Sequence, residues 1–300
     1  MKFLSSDLQI TSDEITLTPK FIAKNEKQFF SGCAELKLNK LEIELINSTN
    51  RTPFYIQQFC LCCNKSTYML VDYLFATKLS NGNEIPCWRE RLICPECHMN
   101  NRQRLIAKLA QQYIQINQYS SVYLMEQVTP FFRWIKNAFP TLEIIGSEFL
   151  GYENQSGKIY DGIRHEDIMN LSFKTGTVNL IISNDVFEHI PNVFRAFQEC
   201  YRVLAPGGMM LAAIPFHADK AKSIIRAEIQ SNEVVHLLPA QYHGDPLSNK
   251  GCLVFHDFGW DLINMFTEIG FEEQYCEIYY EDQFGHWGQG QMVFRLVKSK

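Results

Sequence analysis

The stretch "VNLIISND", residues 178–185, is apolar for almost its whole length. A strand with one wet face alternates polar and apolar residues, whereas one covered on both faces does not. Helices must therefore lie on both sides of the sheet that contains it. The neighbouring pattern supplies them: "SVYLM" reads as a strand, "PFFRWIKNAF" as a helix, "LEIIGS" as a strand and "MMLAAIPF" as another strand. Between the last two strands, "NVFRAFQECYRVLAPGG" is a helix with Phe194, Phe197, Tyr201 and Leu204 on one stripe, stopped at Pro206-Gly207-Gly208. "GWDLINMFTEIGF" is a helix ended by Gly270. "EEQYCEIYY" and "QMVFRLVKS" then flank the loop "EDQFGHWGQG" and read as an antiparallel pair. The expected fold class is α/β: a Rossmann-like, mostly parallel sheet with an antiparallel last strand.

Ligands of such sheets bind beyond the carboxyl ends of the strands. In dinucleotide-binding domains the first strand end is rich in glycine, because a backbone there crowds a pyrophosphate. Here it reads Glu126-Gln127-Val128-Thr129-Pro130. The missing glycines argue against NAD or FAD, and so against a nicotinamide-dependent oxidoreductase. Thr129 is instead a good helix cap, with Pro130 at the first helical position. The other strand ends carry Ser147-Glu148, the loop "RHEDIMNLSF" with Asp167, and "NDVFEHIPN". A carboxylate at the second strand end suits a pair of ribose hydroxyls. A helix cap accounts for one of Asp185 and Glu188 but not for the cluster.

Before this half lies a second unit. Cys60-x-x-Cys63 and Cys94-Pro-Glu-Cys97 are two CxxC pairs. Each turn can present two thiolates to one ion, and together they make a closed tetrahedral site of the structural zinc kind. Cys62, Cys87 and His98 are nearby substitutes. Asn81-Gly82 is a hairpin signal between "TYMLVDYLF" and "IPCWRERLI", and "NNRQRLIAKL" begins a helix. The chain divides into residues 1–55 of unclear fold, a cysteine-rich module with its linking helix at 56–118, and the α/β domain at 119–300. Within the first segment, "FIAKNEKQFF" suggests a helix, and "AELKLNKLEIELI" fits strand or helix.

The formal net charge is −5 and the pI about 5.9, which disfavours a nonspecific nucleic-acid binder. Arg102 and Arg104 are the place for a local basic patch. "MKFLSSDLQITSDE" has no apolar run of signal-peptide length, and no apolar stretch is long enough to span a bilayer. Ten cysteines without a secretion signal point to a reducing, cytoplasmic setting.

The order "GSE", "EDIMNLSF", "VNLIISNDVFEHIPN", "RAFQECYRVLAPGGMMLAAIPF" resembles the class I S-adenosylmethionine-dependent methyltransferases. "DVFEHIPN" and "YRVLAPGG" are its most specific parts, and the likeness covers about residues 119–298. "WRERLICPECHMNNRQR" and "YHGDPLSNKGCLVFHDFGWDLI" are similar to a bacterial subgroup with an N-terminal cysteine-rich module. The resemblance implies a seven-stranded sheet with its last strand antiparallel. It also implies that Glu148 holds the ribose of S-adenosylmethionine, that Asp167 and Ile168 flank the adenine, and that Asn184 and Asp185 lie near the methionine moiety or the reacting centre. Glu126 matches the acid that ends the first strand, while Val128, Thr129 and Pro130 stand where the family has glycines. The cofactor carries no phosphate, so this departure weighs less against it than against a dinucleotide.

The expected reaction is O-methylation of a small molecule or sugar by in-line displacement, with histidine as the base. His189, His217 and His243 are the candidates; a satisfied, partly buried histidine is the plainer reading of His189. The stretch before the last helix, containing His243, Asp245, His256 and Asp257, is a natural substrate wall. Two alternatives remain: a zinc-stabilised scaffold that has lost its cofactor, and a methyltransferase acting on RNA or protein.

Overall fold

The protein is described by a computed structural model that covers residues 15–300 and the backbone of 2–4. Most of the opening segment read above against a signal peptide lies outside the described residues. A seven-stranded sheet forms the centre, in the order Phe21–Ala23, Glu273–Glu281, His286–Val297, Leu204–Ala213, Val178–Asn184, Ser121–Leu124, Glu143–Gly146. The last four of these are mutually parallel, and His286–Val297 runs antiparallel to Leu204–Ala213. This is the expected mostly parallel, Rossmann-like sheet with an antiparallel last strand.

Both faces are covered, as the apolar central strand requires. Leu180 and Ile182 point to one side, where helices Asn101–Asn117 and Pro130–Ala138 bring Leu105, Leu109, Phe131 and Ile135. Ile181 points to the other, where helices Val193–Val203 and Asp261–Ile269 bring Phe197, Cys200, Leu262 and Phe266. Local signals set the ends of these helices. Thr129 accepts a hydrogen bond from the Phe132 amide with Pro130 in the first turn, and Gly270, at φ 111°, closes Asp261–Ile269.

Four sequence expectations change. Phe21–Ala23 is an edge strand of the main sheet and only Glu26–Ala34 is helical, so this part of the N-terminal segment packs into the α/β core through Phe29. "AELKLNKLEIELI" resolves as helix Lys40–Ile46, held by an Asn39–Glu42 capping box. Pro206-Gly207-Gly208 does not stop the preceding helix, which ends at Val203. It lies inside the next strand, where the register against Val178–Asn184 shifts and a Cβ on Gly208 would sit 2.8 Å from the Ala205 carbonyl. In the cysteine-rich module the main hairpin is Phe54–Cys60 with Lys65–Val71. Asn81-Gly82 joins only the two-residue strands Thr77–Lys78 and Glu84–Ile85, and "CWRER" turns back on itself because the Glu90 and Arg91 amides both donate to the Cys87 carbonyl.

The module sits on the α/β domain. Trp88 stacks edge-on against Trp287, Asn101 donates to the Gly285 carbonyl, and Trp134 donates to the Cys62 carbonyl. Three short antiparallel pairs fill the stretch before the last helix: 224–225 with 256–257, 227–230 with 233–236, and 242–243 with 252–253. No helix among the described residues is long and apolar enough to cross a membrane.

Candidate active site

The carboxyl ends of the parallel strands gather the acids expected there. Glu126, just beyond Ser121–Leu124, is 7% exposed, and its Oε1 accepts from the Asn184 amide nitrogen at 2.6 Å. Burial pushes the Glu126 carboxyl up, while hydrogen bonds from Thr129 and Asn184 pull against it. Asn184 ends the Val178–Asn184 strand, and its own Oδ1 is buried with no hydrogen-bond partner. A buried acceptor left unmatched in this way is costly.

The turn without glycine has its own support. Glu148 Oε1 accepts from the backbone N–H of Gln127 at 2.6 Å and of Val128 at 3.0 Å. Burial raises the Glu148 carboxyl, and these two amides lower it. One oxygen of the expected ribose ligand is therefore spent on holding the first strand end in shape. The space beyond Glu126 is not filled by the aromatic pair that follows. Phe131 is fully buried on the opposite face with Ile135, and the Phe132 ring lies over Gly146, where a Cβ would come within 2.6 Å of the Glu126 carbonyl.

A narrow cleft of about 40 Å³ opens beside these residues, lined by Tyr123, Met125, Glu148, Ile168, Val186 and Ile190, among others. Its walls are largely apolar, with the carboxylates of Glu148 and Glu166 among them. Ile168 faces it as expected. The Asp167 carboxylate accepts from the Met169 amide at 2.9 Å, and Asp167 is not part of the lining. A larger cavity of about 400 Å³, between residues 15–18 and the last hairpin, contains none of these strand-end groups.

Asp185 is engaged from across the domain boundary. It stands at φ 51° and forms a bidentate ion pair with Arg89, while Arg102 Nη2 lies 3.0 Å from Oδ2. Glu90 bridges the same two arginines and accepts from Asn100 at 2.8 Å. Burial works to raise the carboxyls of Asp185 and Glu90, but Arg102 and Arg89 outweigh it and hold both below the ordinary range. A basic patch around Arg102 and Arg104, left open by the sequence, is not formed by these two side chains. Arg102 is 9% exposed and turned onto Glu90 and Asp185; Arg104 is fully buried, donating to the Leu92 carbonyl and to Asn101.

Two of the three candidate histidines converge and the third stands apart. The single-turn helix Phe187–His189 places Glu188 inward, 1% exposed. Glu188 Oε1 lies 3.4 Å from His189 Nε2 and 3.4 Å from His243 Nδ1, and neither carboxylate oxygen has a hydrogen-bond partner. His189 Nδ1 is 2.8 Å from the Leu253 carbonyl, which makes it the N–H nitrogen and leaves Nε2 with its lone pair towards Glu188. The Glu188 carboxylate pushes the His243 imidazole up, against its partial burial. His217 is half-exposed and faces Asp257 at 4.0 Å.

The four cysteines meet in the module. Cys60 and Cys97 sulfurs are 3.8 Å apart, as are those of Cys63 and Cys94, and all four lie within 4.8 Å of one another. A tetrahedron with Zn–S bonds of about 2.3 Å has edges of about 3.8 Å, so the donor set and its spacing fit zinc. The two turns are alike. Asn64 and His98, each following the second cysteine of its pair, take φ 54° and 59° and donate their amides to the first cysteine's carbonyl. His98 is thus a turn residue outside this group, and Cys62 points away towards the Arg104 carbonyl.

Sequence reading missed Arg89 and Glu90, and the partnership of Glu188 with His243. The only signal was the charge density of "WRER", which looks like a solvated face until Asp185, 96 residues on, is brought to it.

Comparison with known proteins points the same way as the sheet. Residues 145–212 match a family described as a methyltransferase domain. No curated protein matches the chain. Among solved structures, an S-adenosylmethionine-dependent methyltransferase from Mesorhizobium loti is 16% identical over 64% of this chain and 96% of its own, with a TM-score of 0.39. The 1,6-didemethyltoxoflavin-N1-methyltransferase of Burkholderia thailandensis is 10% identical over 66% and 78%, with a TM-score of 0.38. A candidate sarcosine dimethylglycine methyltransferase from Galdieria sulphuraria is 22% identical over 36% of this chain and 44% of its own, with a TM-score of 0.27; this chain thus spans less than half of that protein's length. Residues 145–212, in the α/β half, are thus similar to a methyltransferase domain.

Proposed function

We propose that this methyltransferase domain uses S-adenosylmethionine to methylate a hydroxyl oxygen of a small molecule or carbohydrate, in a cytoplasmic setting, with zinc pinning the cysteine-rich module. The observation that carries the cofactor reading is the orphaned Asn184 Oδ1 beside Glu126, next to the apolar cleft. An ammonium group would give that oxygen its missing donor, and Glu126 would balance the charge. Tyr123, Met125, Ile168, Val186 and Ile190 would hold the adenine, and the second oxygen of Glu148 is the one left for ribose. When bound, S-adenosylmethionine supplies an electrophilic methyl group on a sulfonium.

The chain's own residues then act in three ways. The module, through Trp88, Arg89 and Arg102, walls the strand ends and limits water. The 242–253 hairpin brings His243 over Glu188 and forms the opposite wall. The Glu188–His189–His243 group removes the proton of the acceptor hydroxyl as its oxygen becomes the nucleophile. His217, on Asp257, is left outside this group. Zinc in a closed four-thiolate site has no open position, so its contribution is to folding.

Calorimetry tests the cofactor reading. S-adenosylmethionine and S-adenosylhomocysteine should bind, and Asn184→Ala should weaken both about tenfold, the cost of losing one charge-assisted hydrogen bond. No binding of either at millimolar concentration would favour the scaffold reading, in which Glu148 serves only to hold the glycine-free turn. With binding established, labelled S-adenosylmethionine in fractionated cell extract identifies the acceptor. Label in the RNA or protein fraction would overturn the small-molecule assignment.

A further inference from the structure

We infer that Glu188, His189 and His243 form a second metal site, open to solvent, for a divalent first-row transition ion. The three donor atoms lie within 4.8 Å of one another. The two edges from Glu188 Oε1 measure 3.4 Å each. For metal–ligand bonds of about 2.1 Å, a tetrahedron has edges of about 3.4 Å. One imidazole is already oriented as a ligand. His189 holds its Nδ1–H on the Leu253 carbonyl and aims Nε2 at the shared centre, the arrangement that orients metal-binding histidines.

Independent of this spacing, Glu188 needs a partner. Its carboxylate is 1% exposed, and among the described residues neither oxygen receives a hydrogen bond. A buried, unsatisfied carboxylate is among the costliest groups a fold can contain, and such groups are paired or bound to metal. The neighbouring histidines are too far for good hydrogen bonds but well placed to share an ion. The fold also makes a point of the position. The backbone of Glu188 is fixed by the Phe255 amide on its carbonyl, and His256 Nε2 reaches the Ile190 carbonyl, so the insertion is tied to both sides of the Phe187–His189 turn.

One carboxylate and two imidazoles form a mixed oxygen–nitrogen set. It suits Mn²⁺, Fe²⁺, Co²⁺ or Zn²⁺ and differs from the all-sulfur set in the module. With three protein ligands, at least one position is open. His243 is one-third exposed, so the site can be reached from solvent. This deepens the methyltransferase reading. An acceptor hydroxyl bound to the ion would have a lowered pKa, taking over the work assigned above to a histidine. Ion binding itself does not rest on that reading.

The test uses the full chain with its four-cysteine site saturated with zinc, without cofactor, at pH 7.5. Mn²⁺ is the probe, because thiolates bind it poorly. Titration followed by the paramagnetic resonance signal of free Mn²⁺ should give one site per chain. Glu188→Gln and His243→Ala should each weaken it at least tenfold, with circular dichroism and the zinc content unchanged. His243 lies on the exposed insertion, so its variant keeps the test valid should Glu188→Gln fail to fold. Absence of a Mn²⁺ site in the wild-type protein, or equal affinity in the His243 variant, overturns the inference. Calorimetry with S-adenosylhomocysteine on the same samples keeps the two readings apart: cofactor binding without Mn²⁺ sinks only the ion site, and the reverse sinks only the cofactor.

Discussion

Among the described residues, two groups of side chains have the spacing of metal ligands, and they are built in opposite ways. The cysteine group takes each pair of donors from one tight turn, and Asn64 and His98 repeat the same left-handed residue behind each pair. It is closed, and the buried Cys60 and Cys94 belong to the module's own core with Met69, Val71 and Leu92. The Glu188 group takes two adjacent residues from a single-turn helix and a third from a hairpin far along the chain, and it stays open on one side. A closed group made of local pairs stabilises a fold. An open group assembled across the chain can hold something that reacts. The difference is that the first should be a stability element and the second a functional one, and it can be broken by experiment.

The largest effect belongs to the cysteines. Cys94→Ser should release zinc and unfold the module, at a cost on the order of 5 kcal/mol. That is a fraction of the about 10–16 kcal/mol that structural zinc contributes in small domains. Metal analysis and thermal melting check it; a variant that keeps both its zinc and its midpoint would refute the structural role. Glu188→Gln in the same melting assay should not lower stability, because it removes a buried charge that receives no hydrogen bond from the described residues. If both variants collapse alike, the contrast between the two groups is wrong.

How much of this was legible follows from sequence distance. The strand–helix series, the Thr129–Pro130 helix start and the cysteine pairs are local patterns, and the structure has them where the sequence put them. The failures are long-range. Leu204 could be read as the end of a helix stripe, but pairing with Val178 makes it the first residue of a strand and draws the Pro206-Gly207-Gly208 run into a bulge. Phe21–Ala23 has no periodicity to announce it, and becomes a strand only because the Glu273–Glu281 edge is there to receive it. Arg102 and Arg104 looked like surface charge because nothing in their neighbourhood shows Asp185 or the Leu92 carbonyl approaching. At the site, the acids were found because strand ends are predictable positions, whereas their hydrogen-bond partners were not. Glu148 was read as a ribose ligand or a solvated charge, and one of its oxygens instead accepts from the amides of Gln127 and Val128.

A middle-sized effect tests the joint between the two regions. Arg89 reaches from the module to Asp185, and both side chains are about one-quarter exposed. Removing one member of a buried pair costs about 3–5 kcal/mol; partial exposure brings the expected loss for Arg89→Ala down to about 2 kcal/mol. Urea denaturation should show it, along with weaker S-adenosylhomocysteine binding as Asp185 shifts. A loss below about 0.5 kcal/mol would mean that the Arg89–Asp185 pair does not hold the module on the domain, leaving that to contacts such as Trp88 with Trp287 and Asn101 with the Gly285 carbonyl.

An effect that is absent at pH 7 lies in the same joint and is read from its pH dependence. His286 begins the antiparallel strand beneath the module, is fully buried, and has no partner for either ring nitrogen. Burial, with Arg104 nearby, pushes its imidazole down to about 3. An unfolded chain protonates this residue near pH 6.5. Between those values the unfolded state takes up a proton that the folded state refuses, so stability is full above about pH 6.5 and falls as pH drops towards 3. The slope is at most about 1.4 kcal/mol per pH unit well below 6.5. His286→Leu should remove that slope whatever it does to stability at pH 7. The quantity to measure is the difference in unfolding free energy between wild type and variant at pH 7, 6 and 5. The difference should move against the wild type as the pH falls. A flat difference would mean that the histidine gains a proton in the folded protein, and that the joint between module and sheet is wetter than its packing indicates.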